Sequence, residues 1–240
     1  MQSANLYKYI ALFCACGLLG CVGGGGGSGG SLCVSSCGGS GGGGSTSAFN
    51  TAEFQANFGL ASINALTAYD SSATGEGITV AVIDTGIDID NAEFTGAISS
   101  ANFVVGVSPA TGQDQFGHGT SVAGVIGARK NGSGTHGVAF ESNLLSIRAD
   151  DIAGPRFSAA SIAVSVNFAV AQGARVVNLS LGGSLPPNAT YQAALQSAVD
   201  AGVIIVAAAG NEGGEVATEA LFPARLANCN ATTEICTNGF

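Results

Sequence analysis

Charge is scarce in this 240-residue chain: Asp, Glu, Lys and Arg together make up 10% of it. Cations are the scarcer sign, with 7 Lys plus Arg against 16 Asp plus Glu and a net charge of −9. The few basic residues are scattered, whereas a duplex-binding surface needs them clustered, so the sequence speaks against nucleic acid as a partner. Histidine is limited to His118 and His136. No strand-like run is followed by Gly-x-Gly-x-x-Gly or a Walker loop, which removes a generic nucleotide-binding domain. The 38 glycines follow no Gly-X-Y period, which removes collagen. A hydrophobic content of 46% with so little charge removes a disordered polyampholyte.

Glycine is instead concentrated near the N-terminus. From Val22 to Ser47 the chain is almost only Gly and Ser, broken by Leu32-Cys33-Val34 and Cys37. Such a stretch has too little apolar surface to offset its ordering entropy and reads as a flexible tether. Before it come Lys8 and an apolar run from Tyr9 to Leu19, ending in Leu18-Leu19-Gly20-Cys21. A cation, about ten apolar residues and a small residue have secretory-signal form. The run is shorter than the roughly 20 residues needed to span a bilayer. Leu-Leu-Gly-Cys also resembles the bacterial lipobox, in which the cysteine is acylated and becomes the new N-terminus. An ordinary signal with a chance cysteine is the other reading.

The expected organisation is therefore a lipoprotein-type signal over residues 1–20, an anchor at Cys21 with a tether to residue 47, and a globular part over 48–240. About 190 residues suit one domain. The lipobox resemblance implies an exported protein, lipid-anchored at the bacterial cell surface or outer membrane, with the membrane as a partner. Beyond the signal and the anchor, four cysteines remain in two close pairs. In an exported chain these suggest local disulfides, Cys33–Cys37 and Cys229–Cys236. Metal binding is the alternative, although neither pair has a neighbouring His or Asp cluster.

Along the globular part, apolar β-branched runs alternate with helical patterns. Ile78 to Ile83, Leu144 to Arg148, Val176 to Leu179 and Val203 to Val206 read as buried parallel strands. Ser121 to Arg129, Ser158 to Gln172 and Thr190 to Asp200 read as helices. This alternation predicts an α/β fold with a parallel sheet. Ligands of open α/β sheets sit beyond the strand C-termini, which directs attention to Asp84, Ser180 to Gly183, and Gly210-Asn211. Asp84 closes a wholly apolar strand, where a carboxylate is costly unless paired. His118 sits between two glycines that let another backbone approach. An Asp that accepts the Nδ1 proton of a His leaves Nε2 free to act as a base. Taken singly, a strand-end cap and a helix N-terminal residue explain Asp84 and His118 equally well.

Together they form a recognisable set. Val80-Ala81-Val82-Ile83-Asp84-Thr85-Gly86 resembles the aspartate motif of subtilisin-like serine proteases (peptidase S8), and Gly117-His118-Gly119-Thr120-Ser121 resembles their histidine motif. Asn178-Leu179-Ser180-Leu181-Gly182-Gly183 resembles the strand lining their cleft, and Ala207 to Gly213 the segment with their oxyanion asparagine. The resemblance runs from about Phe58 to Pro223 and implies the family's three-layer fold around a central parallel sheet. It implies that Asp84 orients His118, that His118 is the general base, and that Asn211 donates to the oxyanion. Ser180, Leu181 and Gly182, with Ala208, Ala209 and Gly210, would line the walls that pair with an extended peptide. The family needs no cofactor for catalysis. Many members hold a structural Ca²⁺, for which Glu93 and Asn131 occupy matching positions, although Asn131-Gly132 also reads as an ordinary turn.

Two departures qualify the resemblance. The family's nucleophile lies in a Gly-Thr-Ser motif downstream of the asparagine, and here the last serine is Ser197. Ser121 follows the same Gly-Thr letters but stands three residues along one helix from His118, with no elbow to expose it, so it is rejected. The expectation is a fragment of a longer protease, incomplete at its C-terminus and inactive alone. The stretch from Ala48 to Asp84 also leaves no room for a folded chaperone segment. A lipobox and glycine-rich leader together resemble surface proteases of autotransporter type. The alternative function is an inert exported lipoprotein whose protease-like fold binds extended peptides.

Overall fold

A computed structural model describes residues 11–13, 47–99, 103–104, 112–151, 154–184, 188–211, 221–230 and 235–238. The strands are β1 Ala11–Phe13, β2 Thr79–Asp84, β3 Phe103–Val104, β4 Asn143–Arg148, β5 Asp150–Asp151, β6 Gly154–Phe157, β7 Val176–Leu179, β8 Ile204–Ala208, β9 Ala227–Asn230 and β10 Ile235–Asn238. The helices are α1 Ala52–Ala56, α2 Phe58–Ser62, α3 Ala65–Asp70, α4 His118–Gly127, α5 Ala159–Ala171 and α6 Ala189–Asp200. One parallel six-stranded sheet runs β1-β8-β7-β2-β4-β3. Helices flank it on both faces, so the fold is the three-layer α/β arrangement expected.

Alternation along β2 separates the layers, because successive side chains of a strand point to opposite faces. Ala81 and Ile83 join the cluster formed with α5 and α6, which includes Leu145, Ile147, Val177, Leu179, Ile205, Val166 and Leu195. Val80 and Val82 join the other face, with Ala123 of α4, Leu144 and Phe94. Both faces are covered, which is why the strands read as continuous apolar runs rather than alternating ones. Val82 and Ile83 are wholly buried, each contributing about 1.5–3 kcal/mol by transfer out of water. A third cluster, Phe54, Leu60, Ala65, Tyr69 and Phe140, seats α1 to α3 against the segment before β4.

Differences from the sequence-based expectation are local. The α5 helix begins after Ser158, which forms a capping box with Ser161. The α4 helix starts at His118, three residues before the expected Ser121, for a reason given below. Three short helices and the β5–β6 hairpin carry too few residues to show a period. The β1 strand falls in the expected signal and pairs in parallel with the outer edge of β8, Leu12 opposite Ala207. Residues 14–46, including Cys21, Cys33 and Cys37, lie outside the described residues. Among the described residues, no helix is long and apolar enough to cross a membrane.

Candidate active site

The sheet places Asp84 at the C-terminal end of its central strand and His118 at the start of α4. Asp84 is fully buried. Its Oδ1 accepts a hydrogen bond from the backbone N–H of Thr85 and lies 2.7 Å from His118 Nδ1. A carboxylate only accepts, so Nδ1 carries the proton and Nε2 is left with a lone pair. Oδ2 is also buried and, among the described residues, has no hydrogen-bond partner. The His118 side chain is 56% exposed over this wholly buried acid. A carboxylate shut away from water thus sits beneath an imidazole that a solute can reach.

Two glycines make the approach possible. A Cβ on Gly119 would fall 2.1 Å from the carbonyl oxygen of Gly86 and 3.2 Å from Asp84 Oδ1. Gly86 itself has φ +100°, and a Cβ there would meet the carbonyl oxygen of Gly112 at 2.4 Å. No other residue type fits either position without moving backbone.

The hydrogen bond to Asp84 holds the His118 pKa above its ordinary 6.5. Burial pulls the other way, and the charges of Asp84 and Asp114 add to the rise. Because the folded value is raised, this pair contributes stability that is full below about pH 6.5 and is lost as pH rises through the folded value. The exposure of the ring screens that contribution and keeps it small.

The expected cleft walls leave the same edge of the sheet. Ser180 to Gly182 follow β7, and Ala208 to Gly210 close β8. Segment 221–222 ties them: Leu221 N–H donates to Ala209 O, and Gly183 and Phe222 exchange backbone hydrogen bonds of 3.0 and 2.9 Å. A Cβ on Gly182 would meet the Leu221 Cβ at 2.8 Å, so a glycine suits this wall. Ser180 Oγ accepts from Asn178 Nδ2 at 2.9 Å. Asn211 stands exposed just beyond β8. Ser121 Oγ donates to Gly117 O at 2.8 Å, a bond within its own helix turn.

Glu93 and Asn131 are brought together, with Asn131 Nδ2 donating to Glu93 Oε2 at 3.4 Å. Sequence reasoning missed Glu53 of α1, which holds the same loop: its carboxylate accepts from the backbone N–H groups of Asn131 and Gly132, both at 2.9 Å. Among the described residues no group of three or more His, Cys, Asp or Glu could hold a metal ion. The β9–β10 hairpin sets Cys229 directly opposite Cys236 in register.

The family profile of the subtilases, peptidase S8, matches residues 75–237. The chain belongs to the subtilase family. Its curated relatives include Subtilisin BL and Subtilisin Savinase of Lederbergia lenta, each 41% identical over 175 residues, 72% of this chain and 61% of the relative's length. Subtilisin-like protease 2 of Pseudogymnoascus destructans is 43% identical over 156 residues, covering 61% of this chain and 35% of its own length. This subtilase chain thus spans less than two thirds of these relatives. The matched region contains Asp84, His118, both cleft walls and Asn211.

Proposed function

We propose that the protein is a serine-type endopeptidase that hydrolyses peptide bonds of extracellular proteins. The observation that carries this reading is the buried Asp84 carboxylate 2.7 Å from the Nδ1 of a half-exposed His118. In this reading Asp84 fixes the tautomer of His118 and stabilises the imidazolium, while Nε2 takes the proton of an attacking hydroxyl and returns it to the leaving amine. Asn211 donates to the oxyanion, and Ser180–Gly182 with Ala208–Gly210 hold the substrate backbone. The attacking serine has no candidate in these 240 residues, since none follows Ser197. The second reading is an inert exported lipoprotein that binds extended peptides. A chimera carrying a Gly-Thr-Ser-bearing C-terminal segment from a subtilase relative separates the two. Peptide hydrolysis that His118→Ala abolishes supports the enzyme; a folded chimera that binds peptide without cutting it supports the binder.

Export rests on the Lys8 to Leu19 run, and anchoring on Leu18-Leu19-Gly20-Cys21. Labelling with a palmitate analogue is expected in the intact chain and lost in Cys21→Ala; equal labelling of both sinks the anchor. Cys33–Cys37 and Cys229–Cys236 are proposed disulfides. For the second, opposed positions of an antiparallel pair lie about 4.5–5.5 Å apart at Cα, within the range a disulfide bridges.

A structural Ca²⁺ is proposed at the 131–134 loop. The oxygens there, from Glu53, Glu93 and Asn131, have the hard-donor chemistry calcium takes. Binding only to the folded state raises stability by mass action, about 2.7 kcal/mol at a hundredfold excess over Kd. The thermal midpoint is therefore expected to be higher in Ca²⁺ than in chelator, and the gap should close in Glu93→Gln. An equal midpoint in both buffers rejects the site.

A further inference from the structure

We propose that Asp114 is a positioning residue of this site, whose carboxylate locks the turn carrying His118 onto the loop that follows Asp84. It builds on the proposed Asp84–His118 pair but rests on hydrogen bonds that none of the four motifs accounts for. Asp114 lies four residues before His118, on a segment that pairs with the loop after β2: Ile87 N–H donates to Gly112 O, and Asp114 N–H to Ile87 O.

The carboxylate accepts five hydrogen bonds. Oδ1 takes the backbone N–H groups of Phe116 and Gly117 and the Thr85 hydroxyl, each at 2.9 Å. Oδ2 takes the Thr120 N–H at 2.9 Å and the Thr120 hydroxyl at 2.5 Å. Gly117, the N-cap of α4, has φ +85° and no side chain to cap with, so Asp114 satisfies the orphan N–H groups in its place. This is why α4 begins at His118 rather than at Ser121.

The two hydroxyls convert the cap into a clamp. Thr85 Oγ1, on the Asp84 loop, gives its proton to Asp114 and accepts the N–H of Gly119 from the helix at 2.9 Å. Thr120 Oγ1, on the helix, gives its proton to Asp114 and accepts the N–H of Asp88 from the loop at 2.9 Å. Each hydroxyl is oriented by the same carboxylate, and each bridges loop and helix in opposite senses. His118 lies between the bridged residues. An amide at position 114 would aim an NH₂ donor at N–H and O–H donors, so Asn is no substitute despite its shape.

The Asp114 pKa reflects this crowding. Burial alone would raise it, but the Thr120 hydroxyl and the backbone N–H groups of Phe116, Thr120 and Gly117 together hold it below 3.8. The clamp is therefore at full strength above that value and is lost as pH falls through the folded one. The charged groups around the His118 turn are Asp84 in contact, Asp114 beneath it, and Arg148, which feels the Asp114 charge while paired to Asp150.

The test reads the imidazoles of the full chain by nitrogen-15 NMR across a pH series, so it needs no peptidase activity. His136 is an internal control: it is buried, its Nδ1 donates to Gly137 O, and its ring packs at tilted and edge-on angles against Phe54, Tyr69 and Phe140. In Asp114→Asn the His118 midpoint is expected to shift downward and the Nδ1–H resonance expected of the parent chain to disappear, with His136 unchanged. A folded Asp114→Asn whose His118 keeps its midpoint and its Nδ1–H resonance overturns the proposal. If His136 shows that Asp114→Asn has unfolded, Thr85→Val is read instead, since it removes one bridge and leaves the cap. A downward shift there supports the clamp, and an unmoved His118 overturns it.

Discussion

The 240-residue chain, purified alone, is expected to hydrolyse no peptide and to leave a fluorophosphonate probe unreacted. In the proposed reading Asp84 and His118 supply a base and Asn211 part of an oxyanion site, but among the described residues nothing is placed to attack the carbonyl. In subtilisin, loss of the serine alone costs turnover about as much as loss of the whole triad, roughly 10⁶-fold. That figure is subtilisin's own and does not come from this fold. Ser121, three residues along the helix from His118, already donates its hydroxyl to Gly117 O. Probe labelling at Ser121, or hydrolysis that depends on His118, would show that the nucleophile has been misassigned. A second consequence concerns solubility. If residues 1–20 are removed at Cys21, β1 leaves with them and the outer edge of β8 is opened, with Ile204 already 44% exposed. An open parallel edge pairs readily with other chains, so the processed form should aggregate more than the intact one.

What could be read from the sequence was what repeats with a period or sits at a strand end. Thr79–Asp84, Asn143–Arg148 and Val176–Leu179 lie within one residue of the expected strands, because their apolar runs are buried on both faces. Asp84 was legible as the polar end of an apolar strand, and His118 because it stands between two glycines. The start of α4 was not, because the usual cue is a capping residue immediately before the helix. Here the cap reaches in from Asp114, and one of its partners, Thr85, is 29 residues away. Glu53 was missed for the same reason: its loop partners are 78 and 79 residues distant. The α1 and α2 helices have their local cues, with Thr51 and Asn57 capping them through their side chains. At five residues each they are too short for an apolar stripe to emerge.

Arg148 closes β4 and Asp150, two residues on, opens β5; positions i and i+2 of an extended chain share a face. Arg148 Nε donates to Asp150 Oδ1 at 2.7 Å and Nη2 to Oδ2 at 3.1 Å, a two-point pair. The side chains are 3% and 0% exposed. The Asp150 hydrogen bond and charge raise the Arg148 pKa, against the opposing effect of burial, so the guanidinium stays charged where it is. Removing one partner strands the other charge without water, and breaking such a pair typically costs about 3–5 kcal/mol. Asp150→Ala is therefore expected to lose stability in that range. The Gln115 Oε1 at 3.5 Å from Nη2 is too distant and uncharged to compensate. Replacing both members, as Arg148→Met with Asp150→Leu, removes two desolvation costs together with the attraction and should sit within roughly 1 kcal/mol of the parent or above it. Urea unfolding followed by circular dichroism gives the four corners of the cycle, with unchanged m-values needed for the comparison to hold. A double variant as unstable as Asp150→Ala would mean that packing around the aliphatic stem of Arg148, not its charge, accounts for the loss.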